Sequence, residues 1–73
     1  MSLDEISDDE QSAVLKAIDK FAKNRVIVWT GRERIATDIC CRQYLTGILK
    51  EKKDVEDMYS IYEAKVRIYT MRR

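Results

Sequence analysis

Arg25-Val26-Ile27-Val28-Trp29-Thr30 is the stretch on which the fold turns. Four consecutive β-branched or aromatic residues predict a strand buried on both faces. Branched side chains sit well on a pleated backbone and lose χ1 freedom in a helix. On this reading Trp29 is a core residue, with a base-stacking platform as the alternative. A similar run stands near the other end of the chain. Lys65-Val66-Arg67-Ile68-Tyr69-Thr70-Met71-Arg72 matches 25–32 as base, Val, apolar or base, β-branched, aromatic, Thr and, two places on, Arg. Val66, Ile68 and Thr70 alternate onto one face, which predicts a second strand over 65–71. The same segment also fits a helix, because positions 55, 59, 62, 66 and 69 keep a 4-3-4-3 spacing. Two strands alone make a marginal sheet, so pairing across a dimer axis or coverage by helices is expected.

Helical signals fill the rest. Ser7-Asp8-Asp9-Glu10 matches a capping box, with acids in the positive first turn. Val14, Ile18 and Phe21 follow at i, i+4, i+7. Lys20 and Lys23 fall near the negative end, and Asn24 serves as a stop. These predict a helix from 8 to 23. Thr30-Gly31-Arg32-Glu33 is a second capping box that feeds the first strand into a helix. The charged run Lys50-Glu51-Lys52-Lys53-Asp54 predicts a break, with Asp54 capping a new helix on which Val55, Met58, Tyr59 and Tyr62 share a face. An aromatic stripe at that spacing is read as packing. The predicted fold class is α+β, a small single domain over 8–73 in the order helix-strand-helix-helix-strand and dimeric, behind an acidic, flexible stretch at 1–7. An all-α fold is the alternative.

Composition bounds the function. A chain of 73 residues is one domain, and a domain this small buries only about 60% of its unfolded surface. The two cysteines are adjacent and cannot staple it, so a homodimer is expected. No run approaches the ~18 apolar residues of a membrane span, and no signal peptide opens the chain. No membrane association and a cytoplasmic location are expected. Net charge is +1 but uneven: residues 1–10 hold five acids and no base, and the remainder holds fourteen bases against eight acids. Such a body can contact phosphates.

Between the two predicted strands lies Ile35-Ala36-Thr37-Asp38-Ile39-Cys40-Cys41-Arg42-Gln43-Tyr44-Leu45-Thr46-Gly47-Ile48-Leu49. Ile35 and Ile39 form one apolar stripe, and Leu45 and Leu49 a second at the same spacing. The segment resembles the helix-turn-helix of DNA-binding domains: a short helix holding Ile35-Ala36, a turn at Cys40-Cys41, and a second helix opening on polar residues. With the predicted strands, the whole resembles a truncated winged helix. The resemblance implies a small DNA-binding transcriptional regulator, with Arg42, Gln43, Tyr44 and Thr46 toward base edges and Lys50, Lys52 and Lys53 toward the phosphates of double-stranded DNA. The family usually places Gly in the turn and this chain has Cys, which keeps open one unbroken amphipathic helix from Arg32 to Lys53.

Catalysis is not expected. The chain has no His, the commonest general base and metal ligand. Cys40 and Cys41 point about 100° apart on a helix and cannot face one ion, and no Gly-rich phosphate loop is present. No cofactor and no metal are expected, and the cysteines read as small packing residues. The second functional reading is a non-enzymatic protein-interaction module, a dimeric adaptor or an inhibitor of a larger enzyme, that uses its tyrosine-rich face and pairs with a protein partner.

Overall fold

A computed structural model describes residues 7–71 as three helices: α1 (Asp8–Ile27), α2 (Gly31–Ile48) and α3 (Lys52–Met71). The described residues contain no strand, so the α+β expectation is overturned in favour of the all-α alternative. The stretch expected to be flexible at 1–7 falls, up to residue 6, outside the described residues, as do Arg72 and Arg73.

The predicted strand at 65–71 is the end of α3, and that at 25–30 is the last turn of α1 followed by the α1–α2 connection. Arg25, Val26 and Ile27 form the last turn of α1, which runs four residues past the expected stop at 23. Asn24 does not end the helix. Its carbonyl accepts the Val28 amide at 3.0 Å, and Val28 is the cap. Val26 is half-buried against the core, so one more turn of helix gains an apolar contact that a strand with no partner would forgo. Residues 65–71 continue α3, and the 4-3-4-3 spacing is the one that packs. Tyr62 and Val66 are buried, and Tyr69 packs partly buried beside them. The Tyr69 hydroxyl donates to Asp19 of α1, and this hydrogen bond is the main influence holding the Asp19 carboxyl below its ordinary range.

The caps explain the boundaries. Ser7 Oγ accepts the Glu10 amide at 3.3 Å to start α1. Thr30 starts α2 with a full capping box: its hydroxyl accepts the Glu33 amide at 3.1 Å, and the Glu33 carboxylate accepts the Thr30 amide at 3.3 Å. Asp54 is not the cap of α3. It lies buried in the first turn, two residues inside the helix.

The core is one cluster drawn from single stripes on all three helices. α1 gives Val14, Ile18 and Ala22; α2 gives Cys41 and Leu45, with Leu49 just beyond its end; α3 gives Val55, Met58, Tyr62 and Val66. Each stripe steps by three or four residues, as a helix facing two neighbours requires. No described helix is long and apolar enough to cross a membrane.

Candidate binding face on α2

α2 runs unbroken through Cys40 and Cys41, so the turn placed there is not formed. The helix ends at Ile48, short of the Lys53 of the unbroken alternative. Cys41 is buried and Cys40 exposed, in keeping with their separation around the helix. Burial pushes the Cys41 thiol up to about 11, with the nearby Asp38 charge acting the same way.

The two apolar stripes of α2 therefore serve different surroundings. Leu45 and Leu49 enter the core with Cys41. Ile35 and Ile39 lie on the other side, 61% and 50% exposed. With Gln43, Thr46 and Gly47 they line an open groove of about 550 Å³ whose far wall is Tyr59 of α3. A Cβ built on Gly47 would meet nothing within 4 Å, so this glycine leaves free space along the groove.

Arg42 closes one side of the groove and is anchored to α3. Its Nη1 donates to Glu56 Oε1 at 2.7 Å, and its guanidinium carbon lies 4.2 Å from the centroid of the Tyr59 ring. The hydrogen bond raises Arg42 and depresses the Glu56 carboxyl, and burial raises Tyr59. Arg42 and Glu56 together bind α2 to α3 across the surface.

Of the residues expected to contact DNA, Arg42, Gln43 and Thr46 share this groove. Arg42, Thr46, Lys50 and Lys52 adjoin in a second hollow of about 300 Å³ at the α2–α3 connection. Lys53 is exposed but lines neither hollow. Tyr44 turns inward, half-buried, with its ring centroid 5.7 Å from that of Phe21 on α1. The Thr46 hydroxyl donates back to the Arg42 carbonyl at 2.8 Å. The three lysines are interleaved in sequence with Glu51, Asp54, Glu56 and Asp57, of which Asp54 is buried.

Compared with known protein families, curated proteins and solved structures, this chain matches none.

The sequence did not reveal that Ile35 and Ile39 stand in solvent or that Tyr59 faces them. The signal lay in the step from 39 to 45, which is not helical spacing: six residues carry the stripe about 240° round the helix. Trp29 was expected in the core and is 92% exposed in the α1–α2 connection.

Proposed function

We propose that this protein is a non-enzymatic protein-interaction module that seats an apolar segment of a partner on the outer face of α2. The observation that carries this reading is the pair Ile35 and Ile39, half in water on a helix whose core stripe lies elsewhere. A helix of a small domain needs one apolar stripe to fold. A second, beside an open groove with an aromatic wall and a glycine gap, is surplus to folding and has the character of a contact surface. Gln43 and the engaged Arg42 supply the polar rim.

DNA binding ranks second. Gln43, Thr46, Lys50 and Lys52 lie on connected surface and support it. Two features count against it: Arg42 is tied to Glu56 and Tyr59, and Tyr44 packs on Phe21. A base contact from Arg42 would compete with the ion pair for the same guanidinium.

Photocrosslinking separates the readings. A photoreactive residue at position 43 is expected to give a discrete protein adduct, either to a second copy of the chain or to another protein. Ile39→Glu should abolish it, and the same group at exposed Lys20 should not produce it. Equal adducts from both positions, or none from position 43, would overturn the proposal. An adduct to duplex DNA would favour the second reading.

A further inference from the structure

The end of the bundle where the α1–α2 connection meets the last turn of α3 exposes three large apolar side chains. Trp29 is 92% exposed, Met71 80% and Ile27 60%. They come from the connection, α3 and α1. The three elements converge there: Arg25 and Val26 of α1, Arg34 of α2, and Val66 and Thr70 of α3 line one hollow.

Charge is polarised along the same axis. Residues 25–34 and 63–71 hold five bases, Arg25, Arg32, Arg34, Lys65 and Arg67, against the acids Glu33 and Glu63. At the opposite end, residues 8–10 and 50–57 hold seven acids against three lysines. Arg25 and Lys65 are committed to Asp38 and Asp19, and the Glu33 carboxylate is committed to the Thr30 amide. Arg34 Nε donates to the Val28 carbonyl at 3.4 Å, which holds its guanidinium against the connection that carries Trp29. Arg32, Arg34 and Arg67 are all exposed.

We propose that this end is a docking tip for an anionic lipid surface. Trp29, Ile27 and Met71 enter the boundary between headgroups and acyl chains, and Arg32, Arg34 and Arg67 reach lipid phosphates and carboxylates from behind them. Trp is the side chain that most favours the membrane–water interface, and arginine stems lie along apolar surface while their heads stay in the wet layer. The attraction of each base to an anionic leaflet falls off within a Debye length, so bases set close behind the apolar tip are well placed. A nucleic acid would stack a base on Trp29 but leave Ile27 and Met71 in water, whereas a bilayer interface takes up all three. Because no described helix can cross a membrane, the contact is superficial. It does not depend on the function proposed for the outer face of α2.

Trp29 is the only tryptophan and so reports directly. With vesicles of equal parts phosphatidylcholine and phosphatidylserine, its emission is expected to shift to the blue, and added salt should reverse the shift. Pure phosphatidylcholine vesicles should leave it unchanged. Replacing Arg32 or Arg67 by Gln should weaken co-sedimentation with the mixed vesicles about fivefold each. Trp29→Ala should abolish co-sedimentation with the helical circular dichroism intact, and Lys20→Gln should change nothing. No shift with the anionic vesicles, or an equal shift with the neutral ones, would overturn the proposal. So would a shift with oligothymidylate and none with lipid, which would assign the tip to single-stranded nucleic acid.

Discussion

The hydroxyl of Tyr62, a wholly buried residue on α3, donates to the carboxylate of Asp38 on α2. Arg25 Nε of α1 lies 3.1 Å from the same carboxylate, an ion pair without hydrogen-bond alignment. One polar group from each helix thus meets beside the apolar core, and burial and the Asp38 bond both raise the Tyr62 phenol well above its ordinary value.

Tyr62→Phe keeps the ring and removes the donor. A hydrogen bond to a charged group contributes about 1.5–3 kcal/mol, so this variant should melt lower by roughly 10 °C. A double-mutant cycle with Asp38→Asn should show the two losses to be less than additive. Thermal unfolding of the four proteins checks both statements, and full additivity would sever the pair.

Alkaline pH should destabilise the protein. The folded state holds the Cys41 thiol up to about 11 against an ordinary 9.0. The folded state therefore retains a proton that the unfolded chain releases. The stability this represents is complete below pH 9 and lost as pH rises toward 11, on the order of 2–3 kcal/mol. Tyr62 acts in the same direction. Denaturant midpoints across that range should fall, and Cys41→Ala should flatten the slope.

Leu45 and Ile39 should respond oppositely to truncation. Leu45 is fully buried, so Leu45→Ala should cost about 2–5 kcal/mol. Ile39→Ala should stay within about 0.5 kcal/mol, as expected for an exposed site. Urea unfolding distinguishes them. A large loss at Ile39 would mean that this side chain is structural and would remove the basis for a binding face on α2.

Thr30→Ala removes one half of the capping box, and Glu33→Gln weakens the other. The first should cost about 1 kcal/mol, the second less. Because the loss falls on the N-terminus of α2, amide exchange should quicken first at residues 31–34.

The capped starts were legible because a cap is local: Ser7 with Glu10 and Thr30 with Glu33 sit within one turn. The 62, 66, 69 spacing was legible too, although the alternation of Val66, Ile68 and Thr70 competes with it. Branched residues favour strand only when another strand is there to pair with, and in this chain a third helix occupies that place. Of the residues expected at a site, Arg42, Gln43 and Thr46 do share a groove. The engagement of Arg42 was not legible, since Glu56 and Tyr59 come from a helix whose packing against α2 no local pattern encodes. Trp29 was misplaced for the same reason: its neighbours were read as a strand with a core behind it, and they form a short connection at the end of the bundle.

Four of the ten core side chains come from the last of the three helices. Tyr62 and Val66, with the Tyr69 bond back to Asp19, all belong to α3, the last of the three helices to be synthesised. Without its final turns, α1 and α2 could only pair as a hairpin with Ile18, Leu45 and Cys41 uncovered. A chain whose α3 frays or is cut short therefore exposes a sticky two-helix surface. Aggregation should therefore follow the docking of that helix, and variants that loosen its last turns should be less soluble before they are measurably less helical.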